Sequence, residues 1–189
     1  MCYLVSFFAW AQSAKLYSSA GLLKGTYSKI ADALAASVDK DSILLSPHIF
    51  YESNLTSGSK SIVLQGTIIG KDTSTINANK NGFCLKLFKG TIRDMIITGG
   101  YPVINSSGVL SGGAMIGFQG LISGNTTIRR NVSSTGVLIH YEIGGITTEG
   151  NLIISDNEIY KYDDSKLGSV LTVGDYYGIK VEIKGNLLI

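Results

Sequence analysis

Gly124-Asn125-Thr126-Thr127-Ile128-Arg129-Arg130-Asn131 is answered by Gly150-Asn151-Leu152-Ile153-Ile154-Ser155-Asp156-Asn157, and Gly185-Asn186-Leu187-Leu188-Ile189 begins a third copy. The Gly-Asn steps recur after 26 and then 35 residues. A constant marker at varying spacing suits a solenoid whose coils carry loops of different length. A second marker interleaves with the first, as Gly112-Gly113-Ala114-Met115 and Gly144-Gly145-Ile146.

Around these markers the chain is a series of short apolar runs broken by Gly, Asn, Ser and Asp. Among them are Ser42-Ile43-Leu44-Leu45, Ser61-Ile62-Val63-Leu64, Phe83-Cys84-Leu85-Lys86-Leu87, Met95-Ile96-Ile97, Val137-Leu138-Ile139 and Ser169-Val170-Leu171. Their β-branched residues favour strands. A strand this short cannot hold a sheet alone. Stacked about 4.8 Å above its neighbour, it completes its hydrogen bonds through the coils above and below. The predicted fold is therefore all-β, a right-handed parallel β-helix with inward ladders of Ile, Leu and Val. Asn125, Asn131, Asn151, Asn157 and Asn186 are its expected turn residues, because Asn bonds nearby backbone and tolerates the left-handed region.

One helix is predicted. Ile30, Ala33, Leu34 and Ser37 or Val38 mark its apolar face, Thr26 or Ser28 caps its start, and Asp32 suits its dipole. It is expected to stop near Asp39-Lys40-Asp41. An uncovered solenoid end would template aggregation, and this helix is placed to cap the N-terminal end. No comparable cap precedes Ile189, where the repeat breaks off, so the chain is expected to be a fragment or a piece of a longer solenoid.

Composition bounds the rest. The 189 residues are 44% hydrophobic and 16% charged, with 23 Gly and only 2 Pro, which suits one turn-rich domain with a sizeable core. The net charge of +2 is near neutral and the basic residues are scattered, so no nucleic-acid partner is expected. Cys2 and Cys84 make neither metal spacing nor a disulfide framework, and Cys84 reads as a buried free thiol. No metal site is expected. The N-terminus, Met1-Cys2-Tyr3-Leu4-Val5-Ser6-Phe7-Phe8-Ala9-Trp10-Ala11, reads as the end of a secretory signal peptide, the alternative being a buried N-terminal segment. It is too short to span a bilayer, which takes about 20 residues. The expected organisation is a signal remnant over 1–14 and a single β-helix domain over 15–189.

The stretch from Ile30 to Gly66 resembles the opening of pectin-lyase-like β-helix proteins: a helix, Asp-x-Ile, a Pro-Gly-x-Tyr-x-Glu turn, a basic residue and an apolar strand ending in Gly. Here these are Ile30-Ala31-Asp32-Ala33-Leu34, Asp41-Ser42-Ile43, Pro47-His48-Ile49-Phe50-Tyr51-Glu52, and Lys60-Ser61-Ile62-Val63-Leu64-Gln65-Gly66. His48 replaces the usual Gly and Phe50 the usual Tyr. The second half is similar to the Gly-Gly-Ala-Ile and Phe-x-x-Asn repeats of polymorphic outer membrane proteins. Gly112-Gly113-Ala114-Met115 carries the first motif; Ile128-Arg129-Arg130-Asn131 and Ile154-Ser155-Asp156-Asn157 carry the second, with Ile for Phe. The resemblance implies a fold more than an activity, since this fold hosts lyases, hydrolases, esterases, tail spikes and adhesins.

Chemistry on this fold needs charge in a groove. His140 and Glu142 would share one face of a strand and make a candidate acid/base pair; an exposed polar edge is the plainer alternative. Asp156 and Glu158 alternate along one strand edge and are the candidate carboxylates, against an exposed turn pair. Tyr160, Tyr162, Tyr176 and Tyr177 are candidate binding aromatics. The first two lie in the loop Tyr160-Lys161-Tyr162-Asp163-Asp164, and aromatic rings stack on sugar faces. Arg129 and Arg130 flank a turn and read as surface residues. The Gly-His-Gly of polygalacturonases, the Arg-x-Pro-x-x-Arg of pectate lyases and the Gln-Asp-Thr-Leu of pectin methylesterases do not occur.

The expected function is a non-catalytic, exported or surface β-helix module, adhesin-like or a passenger domain, presenting a rigid face to glycans or surface proteins of a host or the environment. No cofactor is implied. The alternative is a polysaccharide lyase or glycosidase, or a fragment of one, and calcium enters only under its lyase form.

Overall fold

Ile92 shows how one rung of the molecule is built. It is the single fully buried residue of the strand Lys89–Arg93, and it sits in register with Leu64 on one side and Ile122 on the other. Ile43 extends that column at one end and Thr148 at the other, all of them buried. The computed structural model describes residues 11–104, 110–111, 113–116, 120–133, 137–140, 146–159, 169–172 and 181–188, and these coil as a parallel β-solenoid.

Three faces make up each coil. The first contains β3 (Ser42–Leu45), Ser61–Gln65, Lys89–Arg93, Gly120–Ser123 and the start of Ile146–Ser155. The second contains Ile49–Tyr51, Thr75–Asn77, Ile96–Thr98, Asn125–Arg129 and the end of Ile146–Ser155. Val181–Leu188 runs beside Ile146–Ser155 along both. The third contains Leu55–Thr56, Leu85–Lys86, Met115–Ile116, Val137–His140 and Ser169–Thr172.

The core is a set of columns running through these faces. On the second face Phe50, Ile76, Ile97, Ile128 and Ile154 stack in register and are buried. Leu55 and Leu85 are buried on the third, in register with Met115, Ile139 and Leu171. Each coil brings only a few apolar side chains, and the stack makes them one continuous core. Close stacking also dictates glycine: a Cβ on Gly90 would lie 1.9 Å from the Ile62 carbonyl oxygen, and one on Gly120 would lie 2.0 Å from that of Gly90.

The N-terminal end is closed by a hairpin and a helix. β1 (Ala14–Tyr17) pairs antiparallel with β3 and with β2 (Leu23–Tyr27), so the first face continues two strands beyond the first coil. At about 4.8 Å per strand these rise roughly the diameter of a helix. In the space beside them lies α1 (Ile30–Ala36), which buries Ile30, Ala33 and Leu34 on the open end of the core.

Three details of this cap differ from expectation. Thr26 belongs to β2, Ser28 makes no cap, and the N-cap position is Lys29 with no side-chain hydrogen bond. The cap comes instead from Glu52 in the first coil, whose carboxylate accepts the Ile30 N–H at 2.6 Å and the Ala31 N–H at 2.9 Å. The helix stops at Ala36 rather than near Asp39. Ser37 then folds its hydroxyl back onto the Leu34 carbonyl, and Val38 is exposed rather than on the buried face. At that end the Lys60 ammonium donates to the carbonyls of Leu34 and Ser37. A seven-residue helix has little stability alone. Here a carboxylate holds its positive end and an ammonium its negative end, both from the coil it covers.

Asp41 ties the hairpin to the same coil. Its side chain is 2% exposed, 2.6 Å from the Lys24 ammonium, and it accepts the Val38 N–H at 2.9 Å. Burial pushes its pKa up, but the hydrogen bonds from Lys24 and Val38 and the charges of Lys24 and Lys60 outweigh that and leave it below the usual aspartate value. Cys84 is buried against the Thr98 carbonyl and the Asn131 side chain, and burial pushes its thiol up to about 12.

Because the folded pKa of Asp41 lies below its unfolded value of about 3.9, its contribution is complete above that value and is lost as pH falls through the folded pKa. Urea unfolding followed by circular dichroism should show stability dropping below about pH 4. Asp41→Asn should be less stable at neutral pH by about 2 kcal/mol and should lose less on acidification.

Candidate functional site

The outward side chains of the second face form a regular surface. Because Phe50, Ile76, Ile97, Ile128 and Ile154 point inward, the residues flanking each of them point outward. One flanking column is Ile49, Thr75, Ile96, Thr127 and Ile153, in which Thr75 is buried; the parallel one is Tyr51, Asn77, Thr98, Arg129 and Ser155. Tyr51 is 66% exposed and Ile49 46%, at one end of the columns, and Ile153, four rungs on, is 37% exposed. Successive rungs place these groups about 4.8 Å apart on a backbone that is hydrogen-bonded on both sides. Such a surface holds its side chains in fixed positions before any partner arrives.

Beside it, at the corner between the first and second faces, a short hairpin pairs Ile68–Ile69 with Asp72–Thr73 and exposes both isoleucines. A small, mostly apolar cleft of about 80 Å³ is bounded by Ser13, Lys15, Leu44, Pro47 and Thr67. His48 lies nearby in the chain. Its N–H donates to the Ser46 carbonyl at 2.7 Å and its carbonyl accepts the Thr75 N–H, so Ile49–Tyr51 enters the sheet as a strand. The Pro47-to-Glu52 segment is thus half corner and half strand, where the sequence motif reads as a turn.

The repeat asparagines hold the corners together. Asn125, Asn151 and Asn186 occupy equivalent strand positions, and the Asn151 amide donates to the Asn125 side-chain oxygen at 2.8 Å. The left-handed conformation belongs to the residue before each: Gly124 and Gly150 on this side, Arg130 and Asp156 on the other. A Cβ on Gly124 would lie 2.2 Å from the Asp94 carboxylate, which accepts the Asn125 N–H at 3.0 Å.

Asn131 and Asn157 turn inward. Asn131 is fully buried, its amide donating to the carbonyls of Ile97 and Arg129 and to the Asn157 side-chain oxygen, while its own oxygen accepts the Gly100 N–H at 2.9 Å. Asn157 also accepts the Asn131 N–H and donates to the Ile128 carbonyl.

The two Gly-Gly markers are not equivalent. Met115 enters the third face, whereas Ile146 enters the first and pairs with Gly120.

Three of the candidate chemical residues, His140, Asp156 and Glu158, lie among the described residues. His140 closes a strand of the third face, between Ile116 and Thr172. Asp156 is exposed at a left-handed corner, with the Ser155 hydroxyl donating to it at 3.4 Å. Glu158 is exposed in the short strand Glu158–Ile159, beside Val132–Ser133. Asn157 separates the two carboxylates with its side chain turned inward, and they do not share a strand. Glu142, Tyr160, Tyr162, Tyr176 and Tyr177 lie outside the described residues, as do residues 1–10 and their signal-like pattern.

Among the described residues no group of three or more His, Cys, Asp or Glu side chains comes together, and no helix is long and apolar enough to cross a membrane. Ile49 and Tyr51 escaped the sequence reading because they fell inside an apparent turn. The alternation around the large apolar Phe50 was the available signal. No family model, curated protein or solved structure matches the chain. What the structure defines is a class, the parallel β-solenoids with an N-terminal hairpin-and-helix cap.

Replacing Asn131 by Ala leaves the buried Gly100 N–H without its acceptor, at about 1–3 kcal/mol, and removes the amide's bonds to Ile97, Arg129 and Asn157. Chemical denaturation should show a loss far larger than that of Asn125→Ala on the exposed corner. Equal losses would remove Asn131 from its place as the corner's main tie.

Proposed function

We propose that this chain is a binding module of an exported or cell-surface protein, adhesin-like or a passenger domain, and that the second face is its working surface. The observation that carries the reading is the pair of in-register outward columns led by Ile49 and Tyr51. Side chains set out rung by rung suit an extended partner, and an array that is already ordered loses little entropy on binding. The apolar start of the sequence and the resemblance to outer-membrane repeats support an extracellular setting. Partners of the expected kind are glycans or surface proteins of a host or the environment.

The test is binding of the purified chain to a glycan array and to a panel of surface proteins. Tyr51→Ala and Arg129→Ala, both outward, should lower affinity about tenfold each, on the scale of about 1.4 kcal/mol per contact. Binding unchanged in both variants would remove the second face from the proposal. Uronate polymers incubated with the chain, with and without calcium, provide the enzymatic arm. A rise in ultraviolet absorbance from an unsaturated product would replace the binding reading with a lyase.

A further inference from the structure

Asn81-Gly82 is the one Asn-Gly step in the chain, and it lies at the corner between the second and third faces. Asn79 and Lys80 take left-handed conformations, and the Asn81 N–H returns to the Ala78 carbonyl at 2.9 Å, which makes a tight turn. Gly82 follows at φ 102°, where a Cβ would lie 2.3 Å from the Asn54 side-chain oxygen, so only glycine fits after Asn81. Asn81 is exposed, and its side-chain amide makes no hydrogen bond among the described residues. Gly82 is buried. Its carbonyl accepts the Tyr101 N–H at 2.9 Å, but its own N–H donates to no group among the described residues. A buried residue with an unpartnered N–H is rare.

We propose that Asn81-Gly82 is a site of spontaneous covalent modification, where Asn81 deamidates through a cyclic imide. Hydroxide takes the Gly82 N–H proton, and the nitrogen attacks the Asn81 side-chain carbonyl carbon. The amide nitrogen of that side chain leaves as ammonia. Water then opens the ring at either of its two carbonyls and leaves aspartate or isoaspartate at position 81. Each local feature serves a step. The attacking nitrogen has no hydrogen bond to give up, glycine sets no Cβ beside it, and the exposed amide is free to turn onto it and to meet water. Other asparagines lack this combination. The N–H after Asn79 is bound to the Gly99 carbonyl at 2.8 Å, and the N–H after Asn54 to the Cys84 carbonyl at 3.2 Å. The Asn54 amide is itself tied to the Asn81 carbonyl. The product places a new carboxylate where the second face turns into the third, and its isoaspartate form adds a methylene to the main chain of a closely stacked corner. The inference is independent of the binding role of the second face.

Incubation of the full folded chain at neutral and mildly alkaline pH tests it, with peptide mass spectrometry and isoaspartyl methyltransferase labelling as the readouts. The amide-to-acid mass change should appear at Asn81 ahead of Asn54 and Asn79. Isoaspartate should be the larger product, and the rate should rise with hydroxide concentration. Asn81→Gln should abolish the labelling, because glutamine would have to close a larger ring. Asn79→Gly, which suits the left-handed position, should leave it at the wild-type level. Both side chains are exposed, so circular dichroism of the two variants should match wild type. Labelling that persists in Asn81→Gln, or an Asn81 amide that stays intact or outlasts those of Asn54 and Asn79, would overturn the proposal.

Discussion

Everything in this molecule depends on register between coils. A strand of two to five residues turns only one or two side chains inward, and its hydrogen bonds are complete only when the next coil lies beside it. Ile92 is useful because Leu64 and Ile122 stand above and below it. A slip of one residue would turn each inward isoleucine to solvent and each outward Thr or Arg into the core. The corners enforce the register. The buried Asn131 and the partly buried Asn157 bond across neighbouring coils, while Gly90 and Gly120 allow backbones to meet where any side chain would collide.

A stack of this kind has an end, and the end is treated as carefully as the interior. Two antiparallel strands lengthen the first face, a short helix covers the exposed apolar residues, and charges fasten the assembly. Glu52 and Lys60 hold the two ends of α1, and Asp41 holds Lys24 and the chain after the helix. These three residues belong to the motif by which the sequence resembles pectin-lyase-like proteins. Each is engaged in closing the solenoid, so the motif speaks for how such a coil begins and says little about chemistry.

Much of the fold was legible in the sequence, and the gaps have a common cause. Runs such as Ser61-Ile62-Val63-Leu64 announce a strand because several apolar residues adjoin. Lys89–Arg93 and Thr75–Asn77 do not, since each contains one deeply placed isoleucine among Gly, Thr, Asn or charged neighbours. Ile49–Tyr51 was masked by turn residues around it. The helix was visible from its periodicity, yet its caps were not, because Glu52 and Lys60 come from later in the chain. β1 and β2 carry no strong alternation. They form a hairpin because β3 offers an edge to pair with.

The sequence by itself determined that this is a coiled stack of short strands, that Gly124, Gly150 and Gly185 lie at equivalent corners, and that a helix near Ile30 precedes the first coil. Repetition and periodicity are local properties, and a single chain displays them. Tertiary structure alone decided that Asn131 points inward while Asn125 stays on the surface, that the two Gly-Gly markers serve different faces, and that Ile49 and Tyr51 head an exposed column. Those outcomes depend on which residues of distant coils come to lie side by side, and the varying loop lengths between repeats hide that alignment until the coils are stacked.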